Sequence, residues 1–242
     1  MGKRTITRRR GTGSTRYRAP SHRFKAEVKY PGWCRKETIT GQVVGFYKDV
    51  ARYTPLAKIM LEDNYDVISV IAPEGMKVGD VVEMGIGAPV NVGNVLPIGK
   101  MPEGTSIYNV ELSPGDGGKF VRSSGVSASV VSHDKDTGRT SVRLPSKRSI
   151  MLSSNCLATV GKAAGGGRKD KPFIHAGQKF HLYKSKNRLY PIVCGLHMNA
   201  VDHPHGGGRH PHIGRPSCVS RNTPPGRKVG HIAPKRTGRK KR

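Results

Sequence analysis

The sequence predicts a mostly β protein made of two small barrels, with long basic extensions at its N- and C-terminal ends. Three observations predict this class. Short alternating or β-branched runs follow one another through the middle of the chain, and no run of helical length interrupts them. Glycine and proline, 31 and 17 of the 242 residues, are concentrated toward the ends and exceed the usual share for a fully globular protein.

The N-terminal stretch is predicted to be an extended arm. Residues 1–35 show no hydrophobic periodicity and contain Pro20 and the pair Pro31-Gly32, which interrupt regular structure. Alternating apolar residues begin only at Thr38. We therefore assign residues 1–35 to a basic N-terminal extension.

Two series of strands are predicted in the body, separated by turns rich in Asp, Asn, Gly and Pro, as in small antiparallel barrels. The first series is 38–47, 57–61, 65–72 and 81–84. The second series is 106–112, 127–133, 140–144, 148–152 and 157–160. We interpret them as two five-stranded barrels at residues 36–88 and 89–165, with their boundary in the Gly85 to Gly93 linker. One continuous sandwich is the alternative.

The C-terminal stretch, residues 166–242, is predicted to be a second basic extension. It follows the loose segment Gly165-Gly166-Gly167-Arg168 and contains one short helix around residues 177–187. Beyond Pro191, no pattern of regular structure is found in the sequence.

The net charge of +27 lies entirely in the two ends. Residues 1–35 hold 11 Lys and Arg against one acid, residues 162–242 hold 19 against two, and residues 36–161 hold 13 of each. This distribution predicts a polyanionic partner, with nucleic acid favoured. An anionic membrane surface is the alternative, but the sequence shows neither an amphipathic helix nor a lipidation motif.

No apolar run approaches the length of a membrane span, and the N-terminus is Arg-rich rather than signal-like. The four cysteines form no Cys-x-x-Cys pair, so free thiols in a reducing compartment are expected. We therefore expect a cytoplasmic protein.

The densest chemistry lies in residues 198–212, MNAVDHPHGGGRHPH, which hold four of the ten histidines. A metal site completed by Asp202 or Cys218 is one hypothesis. However, His-x-His pairs with an internal Pro, separated by three glycines, match no zinc spacing. A loop inserted into folded RNA is favoured, because glycine allows close backbone approach and imidazole and guanidinium bind bases and phosphates.

Enzymatic motifs are lacking in the sequence. No phosphate-binding loop, dinucleotide fingerprint or nucleophile elbow occurs, and a metal-dependent nuclease would need more acids than Asp202 near the histidines. An acid–base role for a single histidine stays open. We predict no catalytic residue, no metal and no cofactor, and keep a metal-dependent nucleic-acid enzyme as the alternative.

Three smaller features each leave two interpretations open. The segment Gly115 to Lys119 is either a phosphate contact or a tight turn. Trp33 either stacks on a base or is a structural anchor at the barrel entrance. The third feature is a group of cations that either form one basic face or are scattered over the surface, namely Arg122, Arg143, Lys147 and Arg148.

The segment MNAVDHPHGGG at residues 198–208 resembles the signature of the ribosomal protein L-two family of the large subunit. Further segments match the same family: GNVLP at 93–97, MPEGT at 101–105, SPGDGG at 113–118 and RKVG at 227–230. The resemblance runs from about Gly11 to the C-terminus, and the segments at 213–217 and 236–239 look like the archaeal branch.

The resemblance implies an OB-fold barrel at residues 36–88, an SH3-like barrel at residues 89–165, and extensions that enter large-subunit rRNA. It also implies that the loop around His203 approaches the peptidyl-transferase region, where RNA performs the chemistry. Support of subunit association and tRNA binding, contact with small-subunit rRNA and contacts with neighbouring ribosomal proteins are expected as well. No membrane and no small-molecule substrate is expected.

The residues predicted to bind RNA are glycines, histidines and cations of the two extensions, together with Arg122 of the body. They are Arg8, Arg9, Arg10, Arg16, Arg18, Arg23, Arg122, Arg168, Lys169, His203, His205, Gly206, Gly207, Gly208, Arg209, His210, Arg215, Arg221, Arg227, Lys228, Arg236 and Arg239.

Overall fold

The computed structural model describes residues 2–168 and 170–238. The chain divides into two compact units. Unit 1 combines Met1–Pro20 with Phe173–Arg242, and unit 2 is Ser21–Pro172. The two ends of the chain thus belong to one unit, although about 150 residues separate them in sequence.

Unit 2 is a β structure whose ten strands form one continuous sheet. The strands are β1 (Ile39–Tyr47), β2 (Leu56–Leu61), β3 (Val67–Ile71), β4 (Val81–Met84), β5 (Val95–Pro97), β6 (Ser106–Tyr108), β7 (Ala128–Asp134), β8 (Arg139–Arg143), β9 (Ser149–Ser153) and β10 (Leu157–Val160). Their order is β3-β2-β1-β4-β5-β10-β6-β7-β8-β9. The prediction of a mostly β protein is confirmed.

Two groups of strands share this sheet. Strands β1 to β4 pair antiparallel, as do β5 to β10, and among the described strands the two groups are joined in the sheet by the parallel pair of Met84 with Val95. Each group also has its own hydrophobic cluster. One is centred on Val43, Ile59 and Met84 and includes Leu157 from β10, and the other contains Leu96, Ile107 and Val142.

The strand periodicity explains which side chains enter the core. In β2, Ala57, Ile59 and Leu61 are buried on one face while Lys58 on the other face is exposed, as expected for a strand with one face covered. Strand β10 differs, because all four of its residues are buried. It lies between β5 and β6 in the middle of the sheet order, and both its faces are covered.

Residues 21–35 pack on the body and do not form a free arm. Val28, Tyr30 and Cys34 are buried in its clusters. The Tyr30 hydroxyl donates to the Asn109 carbonyl oxygen at 2.7 Å and lies 2.7 Å from the Thr159 hydroxyl. Burial raises the pKa of Cys34 to about 12, so this thiol stays protonated at neutral pH.

Trp33 packs, partly buried, against the same cluster as Tyr30 and Cys34. Of its two interpretations, the structural anchor accounts for this position, because the indole already has an apolar environment within unit 2.

A buried carboxylate ties this N-terminal segment to the second group of strands. The Glu111 side chain is only 1% exposed and forms an ion pair with Arg35. It also accepts hydrogen bonds from the Gly117 amide at 3.0 Å and the Leu157 amide at 2.8 Å. A carboxylate taken out of water is stable only when its oxygens are bonded in this way.

The segment Gly115 to Lys119 forms a tight turn. The Asp116 carboxylate accepts hydrogen bonds from the amides of Leu112 at 3.1 Å, Ser113 at 3.2 Å and Gly118 at 3.2 Å. Gly118 has φ +90°, and a Cβ there would lie 2.8 Å from the Asn109 carbonyl oxygen. The glycine is therefore required by the turn itself.

Unit 1 has little regular structure. Its α-helices and strands among the described residues are α1 (Ile6–Gly11), α2 (Ala176–Ser185), β11 (Cys218–Val219) and β12 (His231–Ile232), the last two pairing in parallel. The predicted helix around 177–187 is confirmed within two residues, whereas the β11–β12 pair was not predicted. Among the described residues of unit 1, only Thr5 is buried. No described helix is long and apolar enough to cross a membrane.

Candidate RNA-binding surface

The positive charge of the chain follows its division into units. Unit 1 holds 22 Lys and Arg against one acid, Asp202, a net charge of +21. Unit 2 holds 21 against 15, a net charge of +6, which together account for +27. Unit 1 carries most of the net positive charge and buries few apolar side chains. It is therefore the part of the chain that we expect to bind a polyanion.

The histidine-rich segment of unit 1 forms a compact turn, which we call the histidine loop (residues 198–208). The Asp202 and His203 amides donate to the Asn199 carbonyl oxygen at 2.9 and 3.2 Å. The Gly207 amide donates to the Met198 carbonyl oxygen at 3.0 Å, which closes the turn. The loop therefore has a defined backbone conformation of its own.

Two glycines make this conformation possible. A Cβ on Gly206 would collide with the carbonyl oxygens of Met198 and Asn199. Gly207 has φ +85°, a conformation that β-branched residues strongly disfavour, and a Cβ there would lie 3.1 Å from the Cβ of Ala200. Both glycines are thus needed for the loop to fold back on itself.

The two histidines of the loop interact with each other. The His205 amide donates to Nδ1 of His203 at 3.1 Å, and the ring centroids are 5.1 Å apart. Since Nδ1 accepts a hydrogen bond, the neutral His203 ring carries its proton on Nε2. Partial burial, and secondarily His205, lower the pKa of His203 below its ordinary 6.5. At neutral pH the ring is therefore an uncharged donor at Nε2.

His203 and His205 have no third ligand beside them. Within residues 2–168 and 170–238, no group of three or more His, Cys, Asp or Glu side chains is placed to hold a metal ion.

The N-terminal segment holds the histidine loop in place. The Lys3 amide donates to the Val201 carbonyl oxygen at 2.8 Å, and the Lys3 ammonium lies 3.2 Å from the Asp202 carboxylate. Beside this contact lies a cavity of about 370 Å³. Its lining includes four arginines, namely Arg4, Arg8, Arg215 and Arg227. This cationic cavity can take a phosphate group.

Most of the predicted RNA-binding residues are exposed. In unit 1, these are Arg8, Arg9, Arg10, Arg16, Arg18, Gly208, Arg209, His210, Arg215, Arg221, Arg227 and Arg236, and in unit 2 Arg23. Half-buried ones are Arg122, Arg168, His203, His205, Gly206, Gly207 and Lys228. Lys169 and Arg239 lie outside the described residues. Arg8, Arg215, Arg227, His203 and Gly206 line the same cavity.

Arg122 and Arg168 make contacts within unit 2. The Arg122 guanidinium donates to the carbonyl oxygens of Gly118 at 2.8 Å and Val28 at 3.0 Å. The Arg168 guanidinium lies over the Tyr53 ring, 4.0 Å from its centroid. Arg143, Lys147 and Arg148 are exposed near the β8–β9 turn, so they have a different environment from Arg122.

Sequence reasoning missed two cations, Lys3 and Arg4, that the structure places beside the histidine loop. The sequence places both cations in the basic N-terminal segment. It does not reveal that this segment contacts the histidine loop about 200 residues later. A mostly β unit of modest positive charge together with a strongly cationic unit that contains a glycine-shaped loop is typical of a nucleic-acid-binding protein.

Comparison with known proteins defines the family. Residues 91–228 match the family described as Ribosomal Proteins L2, C-terminal domain. The chain is 52% identical to large ribosomal subunit protein uL2 of Methanococcus maripaludis strain C5, over 99% of this chain and 100% of that protein. It is also 52% identical to the uL2 protein of Halorubrum lacusprofundi, over 99% and 98%. The chain belongs to the ribosomal protein L2 family, and these relatives are archaeal, as predicted.

Proposed function

We propose that this chain is a structural, rRNA-binding component of the large ribosomal subunit in the cytoplasm. The observation that carries the proposal is the concentration of charge in unit 1, whose sequence holds 22 Lys and Arg against one acid and which contains the preformed histidine loop. Folded rRNA offers the phosphates that such a unit needs, and its backbone and bases accept hydrogen bonds from arginine and histidine. The uL2 names of the relatives support the same conclusion.

The barrel types, the rRNA contacts and the location of the histidine loop that the family resemblance implies are part of the same proposal. Two of the three hydrophobic clusters of unit 2 are each built mainly from one group of strands, and they support an OB-fold barrel at residues 36–88 followed by an SH3-like barrel at 89–165. We further infer that residues 1–35 and 166–242 contact rRNA through the residues predicted above, and that the histidine loop lies near the peptidyl-transferase region. We also infer that the chain supports tRNA binding and subunit association. It would then contact small-subunit rRNA and neighbouring ribosomal proteins.

The direct experiment is assembly. Large subunits reconstituted without their L2-family protein should incorporate the purified chain and regain peptide-bond formation. A chain that fails to enter the particle, while a bona fide uL2 protein enters it under the same conditions, would contradict the proposal.

The histidine loop is expected to act through its shape and hydrogen bonding rather than through proton transfer. Gly207→Val should lower peptide-bond formation, or assembly, by about 5- to 150-fold, because it places a β-branched residue at φ +85° at a cost of about 1–3 kcal/mol. His203→Gln keeps a hydrogen-bonding group and should be tolerated far better than His203→Ala.

The matched control is Gly177→Val, because Gly177 has open space around its Cβ position and lies in α2, away from the loop in sequence. Assembly is quantified separately from the rate. If His203→Gln and His203→Ala reduced the rate equally and strongly in fully assembled particles, while Gly207→Val was mild, His203 would be an acid or base and the account of the loop would be wrong.

A further inference from the structure

A second cavity of unit 1 combines aromatic rings with positive charge. It has a volume of about 350 Å³ and lies between residues 15–20 and the end of α2, within the size range of small-ligand sites. Two aromatic side chains line it, Phe180 and Tyr190. Four cations line it as well, namely Arg16, Arg18, Lys184 and Arg188.

These aromatic rings are not buried in a hydrophobic core. Helix α2 has no buried residue, and the Phe180 side chain is 43% exposed. The Tyr190 ring is supported from one side, since it packs edge-on against Tyr183 with centroids 5.6 Å apart. The Lys179 ammonium lies 5.0 Å from the Tyr190 centroid. An exposed phenylalanine and a half-buried, supported tyrosine therefore leave apolar ring area accessible at this cavity.

The charge around these rings has one sign. No carboxylate is among the described residues that line the cavity, and the sequence holds no Asp or Glu from Lys171 to Val201 or from Met1 to Ala26. An occupant must therefore bring negative charge as well as a flat apolar face. A nucleotide of single-stranded RNA has both, because its base stacks on aromatic rings and its phosphates pair with arginine.

We propose that this cavity binds one unstacked nucleobase of RNA, with Phe180 and Tyr190 contacting the base and the four surrounding cations holding its flanking phosphates. The site rests on the proposed rRNA-binding function and adds to it a specific mode of recognition. It also gives the N-terminal and C-terminal segments of unit 1 a common ligand, because Arg16 and Arg18 come from one and Lys184 and Arg188 from the other.

The test uses the full chain and a single-stranded octaribonucleotide with one 4-thiouridine. After irradiation, mass spectrometry maps the crosslinked residues. We expect crosslinks at Phe180 or Tyr190, and a yield there that falls by about 5- to 150-fold in Phe180→Leu, since stacking of one base is worth that factor. Leucine keeps apolar volume but has no aromatic face. Phe173→Leu is the matched control, because Phe173 is similarly exposed, at 45%, and does not line the cavity.

Two competitors separate base recognition from phosphate binding. An unlabelled octaadenylate should suppress the crosslink at Phe180 or Tyr190, whereas an abasic octamer with the same number of phosphates should suppress it at least about fivefold less well. If the abasic octamer competed as well as the octaadenylate, the proposal that the cavity binds a base would be wrong. Crosslinks confined to other parts of the chain would also overturn it while leaving the rRNA-binding proposal intact. A full chain that bound neither octamer nor rRNA would instead contradict that broader proposal.

Discussion

Removal of unit 1 is expected to weaken binding to large-subunit rRNA by about 10³-fold or more near physiological salt. A fragment of residues 21–172 keeps the whole sheet but loses 22 of the 43 cations and only one acid. Specific protein–nucleic acid binding is typically about 10³- to 10⁷-fold tighter than sequence-independent binding by the same protein, whose dissociation constant is about 10⁻⁴ to 10⁻⁶ M. The fragment should fall into this sequence-independent range.

The comparison requires that the fragment be folded. The limits 21 and 172 keep Val28, Tyr30 and Cys34, and also Ala163, all of which are buried. A fragment of residues 36–161 would lack these four core residues and is expected to be less stable, so it is not a fair test. Filter binding at fixed salt measures the affinity, and cooperative thermal unfolding verifies the fold. A folded fragment that retained the affinity of the full chain would contradict the assignment of binding to unit 1.

The largest effect on stability is expected from Glu111→Ala, at about 3–5 kcal/mol in the free energy of unfolding. The substitution leaves the Arg35 guanidinium without its carboxylate and deprives the amides of Gly117 and Leu157 of their acceptor. Breaking a buried ion pair by removing one partner has a cost of this size. Urea unfolding of the fragment 21–172 with and without the change measures it.

Glu62→Ala is the control for Glu111→Ala, because Glu62 is an exposed glutamate in the same unit. Its free energy of unfolding should change by less than about 0.5 kcal/mol, as is usual for surface substitutions. A Glu111→Ala loss no larger than that of the control would mean that the buried carboxylate is not what joins the N-terminal segment to the second group of strands.

The strands of unit 2 could be predicted because their signal is local. Each of the nine predicted runs overlaps one strand, because the pattern of buried and exposed residues lies in consecutive positions of the sequence. Strand β5 was missed because it has three residues, ends at Pro97 and follows a glycine-rich linker. Its place in the sheet comes from pairing with β10, about 60 residues later, and no local pattern contains that information.

Long-range packing also explains why the roles of several residues near the two ends of the chain could not be predicted. Val28, Tyr30 and Cys34 are isolated apolar residues in a basic stretch, and only the core they enter reveals their role. The histidine loop was recognisable from its composition, but Lys3, which holds it, comes from the opposite end of the sequence. The aromatic cavity likewise joins residues 15–20 to residues 180–190. A site assembled from distant segments has no signature in either one.

The cations of unit 1 are expected to neutralise rRNA phosphates, and unit 2 is expected to contribute much less. The most direct measurement is the slope of log K against log salt for rRNA binding by the full chain and two triple variants. The first variant replaces Arg8, Arg9 and Arg10 of unit 1 by Gln. The second replaces three exposed arginines of unit 2 by Gln, namely Arg139, Arg143 and Arg148. Because each phosphate contact contributes about 0.7–0.9 to the slope, the first variant should lower its magnitude by about 2 and the second should leave it nearly unchanged. A slope that is unchanged in the unit 1 variant but falls by about 2 in the unit 2 variant would show that unit 2 neutralises the phosphates instead.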